Sequence, residues 1–311
     1  MGKPFDQRAR FSWEETGLQG RILKATGGFY YVLSGTVLYE CRARGLFRKN
    51  GVSPLVGDWV EIEESAGEKG YITQILNRKN SLIRPPLANL DQLFLVVSVA
   101  DPQPNLLVLD KLIAIAEYKK IEPLLIVTKT DLGEWESLAS LYKKAGFQVF
   151  CTGLDSDSDL EPLRRAMEGK ISAFCGNSGV GKSSLLNRLD SRLDLSTAQI
   201  SQKLGRGRHT TRHVQLYPVS NGGYIADTPG FSSLDLERYE VILKDQLQYC
   251  FRDFEPYWNQ CRFTGCSHTK ESGCALLAAL EKGEISPSRH ASYCTLYEAA
   301  KNIREWELQK K

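Results

Sequence analysis

Gly176-Asn177-Ser178-Gly179-Val180-Gly181-Lys182-Ser183 is a GxxxxGKS stretch, preceded by the apolar run 172–175 and followed by a helical pattern over 183–189. A strand, a glycine-rich turn and a helix start in that order form a phosphate cradle. Backbone N–H groups and the helix N-terminus face the anion, Lys182 reaches the β and γ oxygens, and Ser183 offers a hydroxyl to Mg2+, with Ser184 beside it at the nucleotide. Asp227-Thr228-Pro229-Gly230 follows the apolar residues 224–226, so that Asp227 can hold Mg2+ through water and the Gly230 N–H can meet a γ-phosphate. Thr128-Lys129-Thr130-Asp131 follows the apolar residues 124–127. The Asp131 carboxylate matches two N–H donors on the guanine edge, a pair that adenine lacks, which points to GTP and GDP over ATP. Thr128 stands where Asn is more usual, which weakens affinity and leaves base choice unchanged. Cys151-Thr152-Gly153 is a further base-contacting loop.

The order of these segments is unusual. An ordinary GTPase carries its phosphate loop first, whereas here residues 128–131 precede it and residues 227–230 follow both, as in a circularly permuted domain. Residues 201–213 gather Lys203, Arg206, Arg208, His209, Arg212 and His213 around Thr210-Thr211. Thr211 is expected to complete the Mg2+ shell in preference to Thr210. So many cations suit a loop ordered by docking against a phosphodiester backbone, with a merely solvated loop as the plainer alternative. Phe231 follows Gly230 where many GTPases place a water-orienting Gln; a phenyl ring cannot polarise water, so intrinsic hydrolysis is expected to be slow. By elimination, His209 is the nearest candidate for a catalytic group.

Outside this core the texture changes twice. Short apolar runs at 21–24, 29–33, 37–41, 59–62 and 71–75, separated by glycine turns, predict a small barrel of about five strands, OB-type first and SH3-like as the alternative. Its basic loop, with Arg42, Arg44, Phe47, Arg48 and Lys49, suits RNA, since cations track phosphates and aromatic faces stack on bases; a solvated hairpin loop is the bland reading. Residues 77–89, with Pro85-Pro86, have linker composition. Alternating strands and helices from 93 to 189 then predict a doubly wound sheet, and from about 234 onward only helices are expected. The domains expected are 1–82, a barrel; 83–236, the permuted P-loop GTPase; and 237–311, a helical metal-binding module.

At 311 residues the chain can bury two or three cores, and a net charge of +3 leaves attraction to nucleic acid to local clusters. No stretch approaches the ~18 apolar residues of a membrane span, so a cytoplasmic protein is expected. In that reducing compartment the 8 cysteines favour metal binding over disulfides. Cys261, Cys266, His268 and Cys274 supply the Cys3His set of a closed tetrahedral site, hence one structural Zn2+. Cys250 and His290 lie too far along the chain to be first choices. Phe254, Tyr257, Trp258 and Arg262 either face RNA or pack against helices.

An N-terminal barrel, TKTD, GNSGVGKS, GRGRHTTR, DTPGF and CxxxxCxHxxxxxC in this order resemble the bacterial small-subunit-dependent ribosomal GTPases of the RsgA family over essentially the whole chain. The resemblance implies a late maturation factor for the 30S subunit and its 16S rRNA, with GTP hydrolysis stimulated by that subunit. It implies a hydrophobic residue at Phe231, a His assisting hydrolysis at His209, and zinc on Cys261, Cys266, His268 and Cys274. Thr128 is the departure. A monomer is expected. An RNA-binding checkpoint in which nucleotide sets occupancy is the second reading, supported by Phe231; a P-loop kinase or ATPase is the third, opposed by Asp131.

Overall fold

The computed structural model describes residues 17–45, 47, 51–153, 159–190, 214–227 and 240–303. Five strands open the chain: β1 (Leu18–Thr26), β2 (Phe29–Ser34), β3 (Val37–Ala43), β4 (Trp59–Ser65) and β5 (Lys69–Ile75). Period-two alternation sends Ile22, Val32, Cys41, Val60, Ile62 and Ile72 into one core, each at most 1% exposed. The pairing runs β1-β2-β3-β5-β4 and closes β4 back onto β1, with β3 and β5 parallel. This closed five-stranded order is the OB arrangement, so the SH3-like alternative falls away.

Residues 77–89, read as a linker, are built into the fold. They form a ribbon of β6 (Ser81–Leu82) and β7 (Leu87–Ala88). Asn80 and Asn89 are buried within it, and their amides bond backbone groups of Leu90, Lys79 and Gly57. Linker composition misled here because buried Asn side chains can replace backbone partners when each polar atom is satisfied.

The second layer alternates as expected: β8 (Gln92–Ser98), α1 (Leu106–Tyr118), β9 (Glu122–Thr128), α2 (Glu136–Lys144), β10 (Val149–Thr152), α3 (Leu160–Ala166), β11 (Ile171–Cys175) and α4 (Lys182–Leu189). Along β8, Leu93 and Leu95 join Leu109 and Leu112 of α1 on one face, while Phe94 and Val96 join Leu163 of α3 and Leu185 of α4 on the other. The strand is apolar from Leu93 to Val97 because both its faces are covered. Two further strands, β12 (Val214–Pro218) and β13 (Tyr224–Asp227), form an antiparallel pair. β12 was not foreseen: its alternation is only five residues long and abuts the basic stretch 201–213. It joins the layers, since its other edge pairs with β1 and makes one 11-stranded sheet of the described strands, β10-β9-β8-β11-β13-β12-β1-β2-β3-β5-β4.

The C-terminal part holds α5 (Lys244–Leu247), α6 (Ala275–Glu281) and α7 (Pro287–Ala300), with 3-10 turns between α5 and α6. Its core stacks Phe251, Phe254 and Tyr293, so Phe254 is a packing residue. A buried ion network ties it to the second layer. Arg289 of α7 donates to Asp110 of α1 at 2.7 Å and to Asp253 at 2.6 Å, and Tyr142 of α2 donates to the same Asp110 oxygen at 3.0 Å. Nearer the surface, Arg252 bridges Glu117 and Glu122 at 2.8 and 3.0 Å.

Candidate nucleotide and metal sites

β11 ends at Cys175 and α4 begins at Lys182, so residues 176–181 form the turn between a buried strand and a helix N-terminus. Glycine is required three times. A Cβ on Gly176 would sit 2.5 Å from the Val96 carbonyl oxygen, and Gly179 and Gly181 have φ +82° and +87°. Asn177, Ser178 and Gly179 are exposed at the tip, Val180 is buried beneath them, and Ser183 and Ser184 occupy the first turn of α4. The Lys182 ammonium folds back onto the Gly176 carbonyl at 3.0 Å, and burial lowers its pKa. A desolvated cation at a helix N-terminus suits an anionic oxygen, which would restore its charge balance.

Residues 128–131 lie alongside. β9 delivers Thr128, whose hydroxyl donates to the Val180 carbonyl at 2.6 Å, with the Val97 carbonyl 3.1 Å away. Thr128 therefore fastens residues 128–131 to the 176–181 turn. Lys129 has φ +58° and turns its ammonium to the Asp101 carbonyl. Thr130 is half-buried and Asp131 exposed. Residues 151–153 come to the same place. Thr152 is opposite Thr128 in the sheet, and a Cβ on Gly153 would lie 3.1 Å from the Asp131 carboxylate. Arg188 of α4, which the sequence did not single out, donates to the Gly153 carbonyl at 2.8 Å and closes the ring of loops. β13 runs parallel to β11, with Ala226 opposite Ala173, and ends on Asp227. His209, Thr210, Thr211, Gly230 and Phe231, and the Asp227 side chain, lie outside the described residues.

On the barrel, the Arg42 guanidinium stacks over Phe29, 4.6 Å from the ring centroid. Arg44 pairs with Glu63 at the surface, and Phe47 packs partly against the core, which leaves less of its face for stacking on a base. Arg48 and Lys49 lie outside the described residues.

Cys261, Cys266, His268 and Cys274 converge, all four ligand atoms lying within 4.8 Å of one another. His268 Nδ1 faces the Cys261 and Cys274 sulfurs at 3.5 and 3.4 Å, while its Nε2–H donates to Gln248 Oε1 at 2.8 Å. That second bond fixes the tautomer with Nδ1 free to coordinate, and burial lowers the ring's pKa, keeping it neutral as a ligand must be. The donor set thus fits a tetrahedral metal ion. Glu271 knots the loop between the ligands. Burial alone would raise its pKa, but hydrogen bonds from the Ser267 hydroxyl and the N–H groups of Lys270, Ser267 and Glu271 itself outweigh this and hold it at about 2. His290 is outside the set and bonds the His268 carbonyl at 2.8 Å; Cys250 contacts the Gln246 carbonyl. Gln248 was not legible in the sequence, because it lies well before the cluster and on another turn.

The profile of the RsgA GTPase family matches residues 75–237, and that of the RsgA N-terminal domain matches residues 19–72. A small ribosomal subunit biogenesis GTPase RsgA from Caldanaerobacter subterraneus is 44% identical over 91% of this chain and 96% of its own length. One of the same name from Bacillus cereus is 43% identical over 88% and 94%. Among solved structures, YloQ, described as a circularly permuted GTPase, aligns with TM-score 0.77 at 35% identity, covering 95% of this chain and 99% of that one. YjeQ from Thermotoga maritima aligns with TM-score 0.77 at 31% identity, covering 92% and 99%. The permuted succession of base loop, phosphate loop and Asp227 strand is thus shared with known proteins along nearly the whole chain, and this protein belongs to the RsgA GTPase family of GTP hydrolases.

Proposed function

We propose that the protein is a late assembly factor of the small ribosomal subunit. In its GTP form it binds the 30S particle through the barrel and the C-terminal module, and subunit-stimulated hydrolysis releases it. The observation that carries this reading is that a nucleotide site shares one continuous sheet with an OB barrel, in a chain whose relatives are named for small-subunit biogenesis. Arg42, Arg44, Phe47, Arg48 and Lys49 would meet the 16S rRNA. The division at 82/83 and 236/237, a cytoplasmic location and a monomeric state belong to the same proposal; no helix among the described residues is long and apolar enough to cross a membrane.

At the nucleotide, Asp131 selects guanine, with Thr128, Lys129 and Thr130 shaping its loop. The N–H groups of residues 176–184 hold the phosphates, with Lys182 on the β and γ oxygens. Mg2+, which would neutralise charge on the phosphates, falls to Ser183, Thr211 and Asp227. Gly230 would bind the γ-phosphate, and His209 would assist the attacking water in place of the missing Gln. The metal in the Cys3His set is assigned as one structural Zn2+, because four protein ligands leave no open position.

Sedimentation with 30S subunits tests the reading. Binding with a non-hydrolysable GTP analogue and release with GDP are expected; nucleotide-independent sedimentation, or a preference for 50S subunits, would refute it. Elemental analysis should give about one zinc per chain, with its loss in Cys266→Ala.

A further inference from the structure

Glu240 is only 4% exposed. A carboxylate at that depth needs partners, and it draws them from two distant parts of the fold. Oε1 accepts the Ile83 N–H at 2.8 Å, and Oε2 lies 2.6 Å from Lys119 Nζ. Ile83 belongs to the β6-β7 ribbon, and the ribbon's other arm is fastened to the barrel: the Ala88 N–H donates to the Val56 carbonyl at 2.9 Å, and Asn89 Nδ2 donates to the Gly57 carbonyl at 3.0 Å. Lys119 is the C-cap of α1. The other end of that helix lines the crevice behind the phosphate loop, where Asn105 and Val108 face Gly176 and Asn177.

The barrel reaches the nucleotide site at a second point. In register, Lys24 of β1 lies opposite Gln215 of β12, and Gln215 lies opposite Asp227 of β13. Asp227 and Glu240 are the described residues that bound positions 228–239. Each is one step of backbone or carboxylate bonding from an element fixed to the barrel. A rotation of the barrel against the GTPase sheet must therefore disturb either the short β1-β12 pairing or the Glu240 bonds, and a shift of the chain at either residue must act back on the barrel. Such coupling is reciprocal, and here it runs through rigid, directly bonded elements.

We propose that Glu240 is a positioning residue that locks the barrel to the nucleotide site, so that barrel placement and nucleotide state bias one another. The coupling rests on the reading that the barrel docks on the ribosomal subunit; the link itself does not require it. The test is hydrogen exchange across residues 81–88 of the full-length protein, with GDP and with a non-hydrolysable GTP analogue. In the wild type, exchange there is expected to differ between the two nucleotides by about fivefold or more, the lower end of ordinary coupling. In Glu240→Ala the difference should vanish while α6 and α7 keep their protection, turnover of the isolated protein is unchanged, and stimulation by 30S subunits is lost. Lys119→Met, which keeps the Ile83 bond and removes the α1 link, should weaken the same difference and serves as the test if Glu240→Ala does not fold. Nucleotide-independent exchange in the wild type, or a full difference in both variants, overturns the lock. A nucleotide-dependent ribbon in a protein that 30S subunits do not stimulate would instead refute the ribosomal reading and leave the lock standing.

Discussion

Thr128 ties two loops together through one hydroxyl. It sits 5% exposed with its proton committed to the Val180 carbonyl, so Thr128→Val leaves a buried acceptor without its donor. A penalty of about 1–3 kcal/mol is expected, read as weaker binding of a fluorescent GTP analogue with the preference over ATP intact; Thr128→Ser should restore most of it. Equal affinity for GTP in the Val variant would mean that the two loops are held by other contacts. Gln248 plays a comparable part at the metal. Removing its acceptor in Gln248→Leu frees the His268 ring to turn, and metal affinity should fall by about 10–100-fold in chelator competition. Neither role was visible in the sequence, where Thr128 read as a departure that weakens affinity and Gln248 carried no signal. The ligands themselves were legible because their chemistry is carried by residue type and spacing, whereas a second contact depends on which turn of chain happens to lie behind the imidazole.

At the level of elements, strands buried on both faces were the easiest to read. Residues 93–97 form an unbroken apolar run, as a parallel strand covered on both faces requires. β12 was missed because its two buried residues, Val214 and Leu216, are too few to establish a period beside so many cations. Arg289 was equally hidden. It is fully buried, yet its partners Asp110 and Asp253 are 179 and 36 positions away. Replacing it by Met leaves the Asp110 and Asp253 carboxylates without their cation, with only neutral donors such as Tyr142 left on Asp110, and the C-terminal part should lose about 3–5 kcal/mol in urea unfolding. The Asp110 side must suffer most, since its pKa is already raised by burial and Arg289 is the main group opposing that rise. A loss below about 1 kcal/mol would instead class the network with exposed ion pairs.

For the whole molecule, the consequence of permutation is placement. The strands β12 and β13 run between the segment containing Thr211 and the one that follows Asp227, and their outer edge belongs to the barrel. The barrel is thus continuous with the nucleotide sheet, and the C-terminal module is welded to α1 through Arg289 and Arg252. A particle that grips barrel and module together can act on the nucleotide site through bonded elements. On the proposed reading, Phe231, whose ring offers no group to orient water, leaves fast turnover to that external action. The most direct measurement is GTP turnover by the purified protein with 30S subunits, 50S subunits or free RNA. The account predicts stimulation of at least about tenfold, a barrier lowered by about 1.4 kcal/mol or more, with 30S subunits alone. Turnover that is the same with and without 30S subunits, in the presence of GTP-dependent binding, would contradict it.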